Sequence, residues 1–451
     1  MFKIRSGHTV QTESVYRERR SRGFWFYPPQ VLLEPDWNGI DLNDRSDHRE
    51  QSIIYVQIPF CSSFCTYCLF SDVVRLNQKD LVEDYLAALE KEILSYAKTE
   101  YVRSLEFGTI YFGGGTPSCL LSTQLQRLLN IFSNEFNLSE DVQITVEGNS
   151  SSFNEEKLSS ILANGVNRIS LGVQTFNDEI GKILNLPHNH LEVSKIIEKA
   201  RKIGHELISI DLMYNLPGQT MEVWESDLDT AVSLGLDHIT VYCLIIPPAK
   251  KLKTTISRQL ENRKIPPVGT QEKTNRMYEA ALRKLEKAGF RQDSLTDFTR
   301  HGIREGFKYA RLISESRNTL GLGPRAFGYL NHCMYINCKS LDDYMNLIAA
   351  GRISIEMGRR NSKKEEMHGF MVVGLRALSV KKKEFFKRFG IELEEVFSQT
   401  LESLKKKGMI ISDDEEVRLS QKGIIWGGNV CSEFMSDNTK KMLRAYEQQK
   451  K

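Results

Sequence analysis

Cys61, Cys65 and Cys68 are separated by three and then two intervening residues, directly behind the apolar run Ile53-Ile54-Tyr55-Val56-Gln57-Ile58-Pro59-Phe60. Three thiolates in one loop are ligands for an iron–sulfur cluster, and a cubane cluster normally takes four cysteines. One iron is then left for a ligand that is not a cysteine, which makes that corner a place for chemistry. A structural zinc ion is the competing reading. It would take a fourth protein ligand, usually from a second Cys-x2-Cys pair. The loop contains no histidine, and His48 lies upstream. A chance cluster of core cysteines fits less well, because Ser62, Ser63 and Thr66 make the loop polar.

Further polar residues close otherwise apolar strand patterns. Gly113-Gly114-Gly115-Thr116 follows the run 109–112, Glu147 ends 142–146, Gln174 ends 167–173, and Asp211 lies within Leu207–Tyr214. A glycine turn can simply permit tight backbone; after a strand it can also present backbone groups to an amino group. A carboxylate buried without a partner is costly. Glu147 and Asp211 therefore either make a structural hydrogen bond or a salt bridge, for example with Arg168, or hold ribose hydroxyls or an amine. Gln174 offers a neutral donor and acceptor for the same work. Tyr67 either stacks on an adenine or packs. His188 and His190 are candidate acids or bases, or plain surface residues. Cys243 is a small apolar filler or a redox group.

These residues need a scaffold that gathers strand ends. From about 51 to 245 strand runs alternate with helical patterns such as Leu81, Tyr85, Leu89, Ile93 and Tyr96. A repeating β/α series implies a parallel sheet covered by helices. Six such units make an α/β fold, a partial (β/α)6 barrel, in which chemistry collects at the C-terminal strand ends. The chain divides into a polar arm (1–50), the barrel (51–246), a barrel extension and connector (247–360) and a C-terminal unit (361–451). The arm carries one aromatic knot, Phe24-Trp25-Phe26-Tyr27-Pro28-Pro29. The connector opens on Pro247-Pro248 and a basic stretch; the last unit has the element order of a mostly helical, winged-helix-like module.

Composition narrows the function class. The 61 basic residues nearly balance 58 acidic ones, for a net charge of +3, which argues against a nucleic-acid platform. No apolar run approaches the roughly 20 residues that span a bilayer, and the first residues lack the apolar core of a secretory signal. A cytoplasmic protein is expected. Its eight cysteines, five of them scattered, are too few for a disulfide scaffold.

The ordered motifs resemble one family. They are Tyr55 to Cys61, Cys65, Tyr67-Cys68, Phe112 to Ser118, Val146-Glu147-Gly148-Asn149, Asn167 to Phe176, Asp211 to Thr220, and Leu322-Gly323-Pro324. This series is similar to the radical S-adenosylmethionine enzymes related to oxygen-independent coproporphyrinogen III oxidase, over about residues 50–435. The resemblance implies a 4Fe-4S cluster on Cys61, Cys65 and Cys68 and up to two S-adenosylmethionine molecules. Tyr55, Gly114, Glu147 and the backbone near Phe327 would contact the first; Tyr67, Gly115, Thr116, Gln174, Asp211 and the stretch near Ile245 the second. A reducing partner such as flavodoxin or ferredoxin and a small-molecule substrate follow. Two departures matter: Phe70 replaces an extra cysteine of the oxidase, and Leu186 replaces an arginine that would contact the second molecule.

Within the family, the segment from Tyr242 to Pro248, Ile265-Pro266-Pro267 and Tyr335-Ile336-Asn337 resemble the class C methylases. The expected activity is therefore radical methyl transfer to an sp2 carbon of a quinone or a natural-product ring, using two S-adenosylmethionine molecules. The alternatives are a tetrapyrrole enzyme (a coproporphyrinogen oxidase or an anaerobic haem-opening methyltransferase) and a haem chaperone.

Overall fold

A computed structural model describes residues 16, 18–19, 25–37, 39–46, 50–69, 74–76, 79–187, 189–246 and 254–449. Six parallel strands carry the site: β1 (Ser52–Ile58), β2 (Phe107–Gly114), β3 (Leu138–Gly148), β4 (Arg168–Gln174), β5 (Leu207–Tyr214) and β6 (His238–Cys243). They pair in sequence order. The sheet does not stop there. Beyond β6 come β7 (Phe290–Gln292) and β8 (Asp297–Arg300), with β8 antiparallel to β6. On the other side β9 (Thr319–Leu322) pairs parallel to β1. It is followed by the antiparallel β10 (Phe327–Leu330), β11 (Cys333–Asn337) and β12 (Ile355–Arg360), and by the two-residue strand Glu34–Pro35. The result is an open, mixed sheet of thirteen strands in which the expected partial barrel forms the middle.

The strands alternate as a doubly covered sheet requires. Ile54, Val56 and Ile58 of β1, Ile110 and Phe112 of β2, and Ile208, Ile210 and Leu212 of β5 face one way and join one large apolar cluster. The helices Lys79–Ala97, Ser122–Glu135, His190–Ile203 and Met221–Ser233 complete it. Two of these helices start where the sequence supplies a cap. The Asn189 side chain accepts the Glu192 N–H at 3.1 Å, and the Thr220 hydroxyl accepts the Val223 N–H at 3.3 Å. The intervening residues face inward and are largely polar: Gln57, Glu147, Arg168, Ser209, Asp211 and His238.

The C-terminal unit packs helices Lys363–Gly374, Lys382–Phe389 and Leu393–Lys406 against a three-stranded sheet of Ser379–Lys381, Glu416–Leu419 and Ile410–Ser412. Its core does not end at residue 360. Val372, Phe385, Leu401 and Trp426 share one cluster with Ile53, Tyr55, Tyr111 and Tyr309 on the inward face of the barrel. The arm is tied in as well. Trp25 lies against the Arg376 guanidinium, 3.8 Å from ring centroid to carbon, and the Tyr27 hydroxyl donates to Glu365 at 2.6 Å. Phe24 and residues 1–15 of the arm lie outside the described residues, as do Pro247 and Pro248. Among the described residues no helix is long and apolar enough to cross a membrane.

Candidate functional site

β1 delivers the thiol loop. After Ile58 the chain turns through Pro59 and Phe60 into Cys61, and the loop returns along its own backbone, Cys68 N–H to Cys65 carbonyl at 3.2 Å. Outside contacts clamp it. Thr66 donates its N–H to the Leu184 carbonyl (2.9 Å) and its hydroxyl to the Ile183 carbonyl (3.1 Å), while Asn185 Nδ2 donates to the Phe64 carbonyl (2.8 Å). The glycine turn at the end of β2 is built for close approach. Gly115 N–H donates to the Ile58 carbonyl and Thr116 N–H to the Phe60 carbonyl, both at 2.8 Å. A Cβ on residue 115 would lie 2.5 Å from the Phe60 oxygen. Gly114 has φ +102°, and a Cβ there would lie 2.3 Å from Gln57 Nε2. These glycines therefore bring the thiol loop onto β2, with Cys61 Sγ 3.2 Å from Thr116 Oγ1.

A cavity of about 570 Å³ opens at these strand ends. On one wall stand Cys61, Cys65, Tyr67 and Cys68; Gly114, Gly115, Thr116 and Glu147 form the next; Gln174, Asp211, Tyr242 and Cys243 close the far side. Leu186 and Ile245 line it too. Tyr55 and Phe327 do not. They pack behind the cavity with their rings 5.9 Å apart, and the Tyr55 hydroxyl donates to Gln57 Oε1 at 2.5 Å. Tyr55 therefore meets the cavity wall through Gln57, which lies against Gly114.

The electrostatics of the cavity favour a charged guest. Burial raises the Glu147 carboxyl above the usual range, against the hydrogen bonds from the Tyr111 hydroxyl and the Gly114 N–H. Asp211 is pushed up to about 7, first by burial and then by the charge of Glu147, with Arg168 opposing. Arg168 nonetheless makes no ion pair with either acid among the described residues. Its Nε donates to the Gly306 carbonyl at 2.9 Å, Nη2 faces His238 Nδ1 at 3.3 Å, and the guanidinium lies over Phe307 at 4.2 Å. The structural salt bridge considered for these carboxylates is not made. Gln174, in left-handed backbone (φ 67°), accepts the Tyr242 hydroxyl at 3.1 Å. Burial likewise raises the Cys61 thiol to about 11 and the Cys65 thiol to about 12, so as bare thiols they stay protonated at neutral pH.

The donor set fits an iron–sulfur cluster. Three thiols face one opening, and the loop has no histidine to complete a four-ligand zinc site. His190 stands apart, exposed, with Nδ1 3.2 Å from Asp178. His188 and Phe70 lie outside the described residues. The sequence reading missed Thr254 and Arg258, which line the cavity mouth. Thr254 before Ile256 carried a helix-cap signal that the basic composition of the connector obscured.

Residues 55–231 match the Radical SAM superfamily and residues 361–426 the HemN C-terminal domain. A heme chaperone, HemW of Bacillus subtilis, is 33% identical over 388 residues, 85% of this chain and 99% of that protein. This chain belongs to the radical SAM superfamily, in its HemW/HemN-like branch. The family implies a 4Fe-4S cluster and S-adenosylmethionine. HemW of Lactococcus lactis is 32% identical, covering 85% of this chain and 97% of that one. Anaerobilin synthase of Escherichia coli O157:H7 is 27% identical, covering 86% of this chain and 84% of that one. The crystal structure of coproporphyrinogen III oxidase (HemN) from Escherichia coli superposes with a TM-score of 0.79 at 22% identity, over 92% of this chain and 97% of that one. The fold is therefore that of HemN.

These relatives correct one expectation. The class C methylase reading rested on three short segments, Tyr242 to Pro248, 265–267 and 335–337. The end-to-end matches are instead to heme chaperones, an anaerobilin synthase and coproporphyrinogen oxidases. In the structure Tyr335, Ile336 and Asn337 are buried in β11, where Tyr335 packs in the sheet core and Asn337 Nδ2 donates to the Gly323 carbonyl at 2.9 Å. Such residues answer to packing rather than to substrate.

Proposed function

We propose that this chain is a radical S-adenosylmethionine protein that acts on a tetrapyrrole. One observation carries the reading: the three thiols and the polar groups Glu147, Gln174 and Asp211 line one cavity, in a chain that aligns almost end to end with proteins named for haem and coproporphyrinogen chemistry. Cys61, Cys65 and Cys68 would hold the cluster, which when reduced supplies the electron that cleaves S-adenosylmethionine to a 5′-deoxyadenosyl radical. The chain's own residues position and shield. Gly114 and Gly115 offer backbone at the second strand end, Glu147 and Asp211 accept hydrogen bonds from ribose hydroxyls or the amino group, and Gln174, braced by Tyr242, does so without charge. The clamps on Thr66 and Phe64 hold the thiol loop in place.

The finer assignments belong to the same proposal. One S-adenosylmethionine lies against Gly114 and Glu147, and a second against Tyr67, Thr116, Gln174 and Asp211. Equilibrium dialysis of reconstituted protein would count two; a count of one removes the second. A flavodoxin or ferredoxin supplies the electron, and the working unit is the barrel of residues 51–246 with the extension and C-terminal unit behind it.

The decisive experiment incubates anaerobically reconstituted protein with S-adenosylmethionine, dithionite and either haem or coproporphyrinogen. Tetrapyrrole-dependent 5′-deoxyadenosine and a tetrapyrrole of altered mass are expected. The near-full-length identity to two heme chaperones favours a second reading, haem binding and delivery. Haem that is bound and recovered unchanged, with no deoxyadenosine formed, would establish that reading instead.

A further inference from the structure

We propose that Arg258 forms a carboxylate subsite at the mouth of the thiol cavity and takes a propionate of the tetrapyrrole; the inference rests on the tetrapyrrole reading above. Arg258 is the only lysine or arginine among the described residues that line this cavity. It makes no ion pair or side-chain hydrogen bond among the described residues, and it is exposed at the rim. The cavity's acids, Glu147 and Asp211, stand at strand ends inside it. The cavity is thus polarised, acidic within and basic at the entrance.

The support of Arg258 is rigid. Its helix, Thr255–Glu261, begins where the Thr254 hydroxyl accepts the Ser257 N–H at 3.2 Å. The Ile256 N–H donates to the Thr66 carbonyl at 2.9 Å, which fastens the helix to the thiol loop itself. The Ile256 side chain is buried among Met213, Leu216 and Leu244. The anchored helix fixes where the Arg258 side chain starts, and its planar fork suits a carboxylate.

A ligand with an apolar ring and carboxylates along one edge meets three different surfaces here. The inner acids offer its carboxylates no cationic partner. Pro187 and Leu244 offer the ring an apolar wall. Arg258 attracts the carboxylates at the entrance. The ring therefore enters first, and the propionate edge stays outermost.

S-adenosylmethionine also carries a carboxylate, so the test separates the two guests. Full-length reconstituted protein is titrated with haem and with haem dimethyl ester by Soret absorbance. S-adenosylmethionine binding is read separately from the electron paramagnetic resonance of the reduced cluster. Wild type should prefer the free acid over the ester by about tenfold, the scale of one charge-assisted hydrogen bond. Arg258→Met should remove that preference while leaving ester binding and the S-adenosylmethionine signal unchanged, which also reports an intact fold. Arg258→Lys should restore part of it. Equal affinity of wild type for acid and ester, or loss of S-adenosylmethionine binding in Arg258→Met, overturns the subsite and leaves the tetrapyrrole reading standing. Failure of wild type to bind either form overturns the subsite, and it overturns the tetrapyrrole reading as well where coproporphyrinogen also gives no deoxyadenosine.

Discussion

Two of the places where this molecule holds carboxylates away from solvent, Glu92 and the pair Glu147 and Asp211, are built to opposite plans. Glu92, inside the helix Lys79–Ala97, accepts from the Ser354 hydroxyl at 2.5 Å, the Gly323 N–H at 2.7 Å, the Tyr344 hydroxyl at 2.8 Å and Asn337 Nδ2 at 3.2 Å. Its four donors come from four separate segments, and the knot pins β9, β11 and the start of β12 to the helical layer. Glu147 and Asp211 have fewer donors, repel each other and face a cavity. A buried carboxylate whose lone pairs are filled by its own chain is architecture; one left short beside an opening is prepared for a guest.

The largest test concerns the thiols that define the opening. Cys65→Ala should abolish deoxyadenosine formation while the fold persists, as judged by an unchanged circular dichroism spectrum. Turnover at the wild-type rate would remove Cys65 from the ligand set. Next comes stability. Glu92→Ala strands four buried donors and should cost about 3–5 kcal/mol in urea unfolding. A loss below 1 kcal/mol would show that the knot is not structural.

Asp211→Asn should behave in the opposite sense. Its carboxyl binds a proton up to about pH 7 in the folded chain, against about pH 3.9 when unfolded. The folded state then holds more protons between those values, so stability falls as pH rises through that window and stays lowered above it. Asp211→Asn should therefore unfold at higher denaturant than wild type at pH 8, with the gain shrinking toward pH 4. The same variant should lose about tenfold in S-adenosylmethionine affinity at pH 8 and less at pH 6, where the wild-type acid is itself largely protonated. Smallest is Tyr242→Phe, which frees the Gln174 oxygen of one donor. A two- to tenfold weakening of S-adenosylmethionine binding is expected, about 0.5–1.5 kcal/mol. No change would mean that Gln174 needs no brace.

How much of this was legible beforehand depends on the range of the interaction. The thiol loop, the glycine turn and the six strands with polar ends are local patterns, each readable within about ten residues, and they land where a parallel sheet puts them. Tyr55 carries the same strand pattern but points into the aromatic cluster with Tyr111 and Tyr309, away from the opening. Arg168 is close to both acids in sequence logic, yet Gly306 and His238 claim it from far along the chain. Arg258 lies in a stretch that read as a connector, and only its anchor to Thr66 brings it to the cavity.

The order of residues along the chain was enough to specify the three-thiol loop, the β/α alternation and the set of polar strand ends, because spacing and periodicity are properties of neighbours. The extension of the sheet on both flanks, the continuity of the C-terminal core with the barrel interior, and the contrast between a satisfied Glu92 and an expectant Asp211 came from folding. Those depend on donors and walls supplied from up to hundreds of residues away, and burial sets the charge state of an acid only once those partners have closed around it.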